Sequence, residues 1–193
     1  PDNHNVYAAT NPGRDKTALV EMNPATAEEV CLLYEDEQYD VSSLNYSRRR
    51  KKLLSCYCTG HREPVRHFVD EEEQACRGRL RALFPGKRVA MADVDKAEEH
   101  YILYVGSDRT RGAYYYYDDT TDTLRKLADL APQLAEADMA EMHAVTYTSR
   151  DGLRIEAYLS LPSGLTPETA RALPVVVNPH GGPWARDSWG FSS

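Results

Sequence analysis

Short apolar runs of five to seven residues, separated by polar turns, fill most of the chain. Val6-Tyr7-Ala8-Ala9-Thr10-Asn11 is followed by Ala18-Leu19-Val20-Glu21-Met22-Asn23. Leu53-Leu54-Ser55-Cys56-Tyr57-Cys58 is followed by Val65-Arg66-His67-Phe68-Val69-Asp70. Tyr101-Ile102-Leu103-Tyr104-Val105-Gly106 is followed by Ala113-Tyr114-Tyr115-Tyr116-Tyr117-Asp118. Each pair reads as two β-strands joined by a turn, because alternating or β-branched and aromatic runs suit a half-buried pleated surface. Ala18, Val65 and Ala113 stand about 47 residues apart, a spacing that points to a repeated β-unit. Further strands complete the units. Glu29–Tyr34 follows the first pair, Val41–Tyr46 opens the second, Val89–Asp93 opens the third and Thr123–Leu127 closes it. Asn11-Pro12-Gly13, Asn23-Pro24 and Gly60 supply the turns.

A repeat of this length built from several short strands is the signature of a β-propeller blade. Two or three blades do not close a propeller, so the repeat predicts further blades upstream. One segment breaks the pattern. Residues 70–84 predict a helical insertion, with Asp70 as its cap, Glu73 at the offset of a capping box, acids leading and arginines trailing. Pro85-Gly86 should end it. A second helical pattern is expected around Ala128 to Met142, where Leu130, Leu134, Met139 and Met142 are interspersed with acids.

The last third changes character. His143–Thr148 and Leu153–Pro162 flank Ser149-Arg150-Asp151-Gly152 and predict a hairpin. Pro174-Val175-Val176-Val177-Asn178 is a continuous β-branched run, the pattern of a strand buried on both faces of an α/β sheet. Residues 143–178 are therefore expected to form the opening strands of a sheet whose other strands are not in this chain. Directly after the run stands His180-Gly181-Gly182-Pro183-Trp184. Two glycines let a backbone come close to a ligand. A backbone N–H after the third strand is what an α/β-hydrolase aims at the charge that develops in a tetrahedral intermediate.

Residues 145–153, 159–162 and 174–184, in that order, resemble the entry into the catalytic domain of the prolyl oligopeptidase family of serine peptidases, in its acylaminoacyl-peptidase and dipeptidyl-peptidase branch. The resemblance implies a mainly β fold: partial β-propeller blades over residues 1–130, then the first strands of an α/β-hydrolase domain over 131–193. It implies a serine exopeptidase that hydrolyses short peptides through an acyl-enzyme, with no cofactor. It assigns His180, Gly181, Gly182 and Pro183 to the oxyanion loop. The family's Ser, Asp and His follow that loop, and no Gly-x-Ser-x-Gly occurs in this sequence, so none of the triad is assigned here and the chain alone is expected to be inactive. Trp184, Arg186, Asp187 and Trp189 line a substrate-facing surface, with Trp184 and Arg186 as the candidate contacts, or they pack the hydrolase part against the propeller, the favoured reading. Glu71 and Glu72 are candidates for holding a substrate's free amino terminus, against the simpler reading as acids at a helix start.

Composition narrows the partners. The chain has 193 residues, 41% hydrophobic and 27% charged, the balance of a globular protein. Its net charge of −7 argues against a nucleic-acid partner. The run Arg48-Arg49-Arg50-Lys51-Lys52 reads as a solvated turn. No apolar stretch is long enough to span a membrane, and Pro1 to Asn5 show no signal-peptide pattern. Four irregularly spaced cysteines (Cys31, Cys56, Cys58 and Cys76) predict reduced, mostly buried thiols, and with them a cytoplasmic location, a periplasmic or secreted one being the alternative. Cys56, Cys58, His61 and His67 lack a zinc-site spacing, so no metal is expected. Homo-oligomerisation is open. Two other functions compete with the peptidase: a non-catalytic propeller that scaffolds a partner, and an esterase of the same hydrolase fold. A Ser elbow downstream excludes the first, and peptide cleavage excludes the second.

Overall fold

A computed structural model describes residues 4–183 and 185–191. It divides into two compact units, Pro1–Leu83 and Phe84–Ser193.

The first unit holds two three-stranded antiparallel sheets whose neighbours follow in chain order. Strands β1 (Val6–Thr10), β2 (Ala18–Asn23) and β3 (Glu28–Tyr34) form one. Strands β4 (Val41–Ser47), β5 (Lys52–Cys58) and β6 (Val65–Phe68) form the other. The turn leaving β1 works because Gly13 sits at φ 71°, after Pro12, and lets Arg14 N–H reach Asn11 O at 3.0 Å. Proline and then a left-handed glycine are what a type II turn requires. The sheets pack through Leu19 from the first and Val41, Leu53, Cys56 and Cys58 from the second, with Tyr7, Tyr34, Tyr39 and Val65 around them. A shift in register between Asn45 and Tyr46 places Leu54 as an extra residue in β5. This bulge brings Leu53 onto the same face as Cys56 and Cys58. It also frees the Leu54 carbonyl, which accepts from the N–H groups of Val69 at 2.9 Å and Asp70 at 3.1 Å.

That carbonyl fixes the start of helix α1 (Glu71–Ala82). Asp70 caps it, accepting from Glu73 N–H at 2.9 Å. The expected capping box is only half formed. Asp70 N–H is taken by Leu54, and the Glu73 carboxylate turns to Arg77 at 2.7 Å and Asn45 at 3.0 Å. The helix ends at Ala82, before Pro85, and buries Cys76 and Leu80.

The basic run between β4 and β5 is not simply solvated. Arg50 reaches Asp70 at 3.0 Å and Glu72 at 2.8 Å, and Lys52 also pairs with Asp70. The Lys52 ammonium first, then the Glu73 N–H and the Arg50 guanidinium, outweigh burial and hold the Asp70 carboxyl down to about 2. A carboxyl depressed in the folded state stabilises the fold fully above its ordinary range, and that stabilisation disappears as pH falls toward the folded value. We expect urea stability to decline between pH 4 and pH 2. Asp70→Ala should cost ~2 kcal/mol at pH 7, from the lost cap and ion pairs, and should flatten that decline. Equal pH profiles for the two proteins would refute the assignment.

The second unit contains a complete four-stranded meander in the order β10-β9-β8-β7. Its strands are β7 (Arg88–Val94), β8 (His100–Gly106), β9 (Ala113–Asp118) and β10 (Thr123–Asp129). Alternate residues Tyr101, Leu103 and Val105 of β8 are buried, with Ala113 and Tyr117 of β9 beside them. The tyrosine run divides between faces. Tyr117 pairs with Tyr101, whereas Tyr114 meets Tyr104 and Tyr116 stacks on His100.

The open sheets of the two units are partial propeller blades. Three sheets follow in chain order, with three strands, three strands with α1 after them, and four strands. The second helical pattern is not realised. Residues 126–129 extend β10 along Tyr115 to Ala113, and only a single 3-10 turn, Glu136–Asp138, follows. Pro132 interrupts any helix there, and Leu130 and Leu134 stay exposed with no face to pack on.

Strands β11 (Met142–Thr148) and β12 (Arg154–Ser160) form the expected hairpin, with Gly152 in its turn at φ 87°. The valine run is the exception. Val175, Val176 and Val177 lie outside any strand and are 80–92% exposed. A strand buried on both faces needs a neighbour on each side, and no described strand of this chain lies against it.

Candidate active-site loop

The stretch 174–183 enters the loop without tertiary support, but its far side is anchored. Trp189 is buried, and its indole N–H donates to the Met142 carbonyl at 2.8 Å. Met142 N–H donates to Asp108 at 2.7 Å, and Phe191 N–H to the Ser107 carbonyl at 3.1 Å. The turn after β8 therefore holds both the start of the hairpin and the segment beyond the loop. Arg186 reaches across to Glu156 of β12 at 3.4 Å.

Within the loop, His180, Gly181, Gly182 and Pro183 are exposed. His180 Nδ1 lies 2.7 Å from its neighbour's carbonyl, Gly181 O. Gly181 has open space where a Cβ would stand and does not use a left-handed φ. Its glycine character serves approach by another group rather than backbone strain. The loop can present backbone N–H groups to an oxygen atom. Trp184 lies outside the described residues.

Glu71 and Glu72 belong to the other unit, in the exposed first turn of α1, and Glu72 is bound to Arg50. The acids on either side, Asp70 and Glu73, face inward and are engaged in the cap and with Arg77. Cys56 and Cys58 lie in the core between the two sheets, and burial raises both thiols, Cys58 to about 11. His67 stacks on Tyr34 at 4.1 Å. Cys56, Cys58 and Cys76 are buried reduced thiols as expected, whereas the Cys31 thiol is exposed on β3.

Two polar arrangements had no signal in the pattern. His100 Nδ1 lies 3.0 Å from Asp95, whose carboxylate raises the imidazole's affinity for a proton. Arg66 and Arg77 converge near Glu73 on α1 and β6, where residues distant in sequence meet only through folding.

Comparison with known proteins follows this geometry. No family model matches the chain. The chain is 27% identical over 194 residues to dipeptidyl aminopeptidase BIII of Pseudoxanthomonas mexicana, covering 98% of this chain and 28% of the relative. Its fold matches a prolyl endopeptidase from a study of inter-domain dynamics at TM-score 0.54 and 15% identity, over 84% of this chain and 24% of that one. It also matches prolyl oligopeptidase B of Galerina marginata, bound to a 35mer substrate, at TM-score 0.54 and 16% identity, over 81% of this chain and 22% of that one. The chain thus spans about a quarter of the length of the relatives it matches. No helix among the described residues is long and apolar enough to cross a membrane. The chain is thus similar in sequence to a stretch of a dipeptidyl aminopeptidase and in fold to stretches of prolyl oligopeptidases.

Proposed function

We propose that the complete protein is a serine exopeptidase of the dipeptidyl- or acylaminoacyl-peptidase type, acting on short peptides, and that residues 180–183 form half of its oxyanion hole. The match to a dipeptidyl aminopeptidase along 98% of the chain carries this reading. In it, residues 1–130 are late propeller blades and 131–193 open the hydrolase domain. A serine beyond this chain attacks the scissile carbonyl while a histidine takes its proton. The carbonyl oxygen becomes an oxyanion and is held by the N–H of Gly181 or Gly182. The amine leaves with a proton from the histidine, and water then releases the acyl group by the same steps. Backbone donors suit the task because they need no reorganisation as the charge develops. Pro183 and the ring of His180 shape the loop, and Arg186 lies beyond it.

The test is a substrate panel on the complete protein: dipeptidyl-nitroanilides with a free amino terminus, the N-acylated aminoacyl equivalents, and short acyl esters. Cleavage of either anilide, abolished by a serine-directed fluorophosphonate, is the expected result. Ester turnover with no anilide cleavage would replace this reading with an esterase.

A further inference from the structure

The first unit contains a half-enclosed cluster with more positive charge than its protein partners balance. Arg66 lies on β6, directly across from Tyr57 on β5. Its guanidinium stands 5.5 Å from the centre of the Tyr57 ring, and Nη1 donates to the fully buried Ser55 Oγ at 3.1 Å. Asn45 of β4 pairs with Ser55 in the ladder. Helix α1 contributes Glu73 and Arg77 to the same cluster. Arg77 Nε and Asn45 Nδ2 both donate to one oxygen, Glu73 Oε1, at 2.7 and 3.0 Å. The side chains of Arg77 and Glu73 are only 14% and 7% exposed.

Two guanidinium groups thus face one carboxylate. Arg66 has no carboxylate partner among the described residues. Its Nε and Nη2, and both Nη atoms of Arg77, have no acceptor there within hydrogen-bond distance. Burial first, and then the charge of Arg77, weaken Arg66's hold on its proton. An enclosed, unbalanced charge is costly, and an anion able to accept from both forks would offset that cost. A planar carboxylate matches guanidinium donors two at a time. The remaining Glu73 oxygen lies close by and disfavours a dianion such as phosphate more than a monoanion.

We propose that Arg66 and Arg77 form a carboxylate-binding site, taking the acidic side chain or the C-terminal carboxylate of a peptide. The site stands apart from the peptidase reading, because its test needs no turnover. The chain is titrated with four probes: N-acetylglutamic acid α-amide (side-chain carboxylate only), N-acetylglutamine (terminal carboxylate only), N-acetylglutaminamide (neither) and inorganic phosphate. The Arg66 and Arg77 Nε–H resonances are followed by NMR. At least one carboxylate probe should bind ten-fold or more tightly than the neutral one, and which one binds identifies the source. Arg66→Met should weaken it ten-fold or more, and Arg66→Lys several-fold with an unchanged melting temperature. Arg111→Met, an exposed site in the other unit, should have no effect. Equal binding of the neutral probe, tighter binding of inorganic phosphate, or an unchanged affinity in Arg66→Lys would overturn the proposal.

Discussion

Proline at Gly181 or at Gly182, placed in the complete protein, is expected to lower kcat by ~10²–10³-fold with a small change in KM, the loss seen when one oxyanion donor is removed. Proline deletes the backbone N–H, and it also fixes φ near −65° and restricts the residue before it. The loop is exposed, and Gly181 has no neighbour within van der Waals reach of a Cβ. Folding stability should therefore move by less than ~0.5 kcal/mol. Alanine at Gly181 separates donor from shape. It keeps the N–H and meets open space, so activity should stay within a few-fold of the parent. A loss at Gly181→Ala as large as at Gly181→Pro would mean that the backbone donor is not what matters. The measurement is steady-state kinetics on whichever anilide the protein cleaves, beside urea unfolding of each variant.

Leu103→Ala is expected to cost ~3–4 kcal/mol, the cost of a fully buried leucine in a strand that cannot collapse around the cavity. Leu103 is 0% exposed, in the middle of β8, between Met91 of β7 and Tyr115 of β9 in the ladder. Packed neighbours on both sides restrict relaxation, so the cavity persists. The urea midpoint should fall with an unchanged slope, and Trp189, buried in the same unit, supplies the fluorescence signal. Val175→Ala provides the contrast. In the 193-residue chain Val175 is 80% exposed, so its truncation there should change stability by less than ~0.5 kcal/mol. Similar costs for Leu103→Ala and Val175→Ala would contradict the placement of the core in the blade.

The strands were legible because they carry local signals. Val6–Thr10, Ala18–Asn23 and Ala113–Asp118 show their period directly, and turns such as Asn11-Pro12-Gly13 mark where they stop. The helix at Glu71–Ala82 was legible for the same reason, since caps and trailing arginines are sequence features. Errors arose where a local pattern competes with a distant partner. Residues 128–142 look helical in their spacing of leucines, methionines and acids, yet β9 offers Ala128 and Asp129 a ladder and Pro132 closes the helical option. The Val175–Val177 run has strand chemistry but no described neighbour to pair with, so its propensity is not expressed. The basic run Arg48–Lys52 looked like a solvated turn because Asp70 and Glu72, which bind Arg50, lie twenty residues or more downstream.

The candidate site divides in the same way. His180-Gly181-Gly182-Pro183 is a candidate from its order after the valines, a pattern within ten residues. The anchors on its far side, Trp189 on Met142 and Met142 on Asp108, could not, because each joins segments more than thirty residues apart. Neither could the Arg66–Arg77 cluster, which depends on α1 lying against β6 and reaching Asn45 of β4. Glu71 and Glu72 were noticed as a pair of acids. The fold shows that Glu72 already has a cation, so any role for it in holding a substrate amine would have to displace Arg50.

The decisive measurement is a crystal structure of the complete protein after reaction with an aryl phosphonate, whose tetrahedral oxygen stands in for the oxyanion. The proposed function predicts phosphonate on a serine outside residues 1–193, with its oxygen within roughly 3.1 Å of the backbone nitrogen of Gly181 or Gly182. It also predicts Val175–Val177 paired as a central strand behind that loop. A phosphonyl oxygen held by other groups, with both glycine N–H donors turned away, would contradict it.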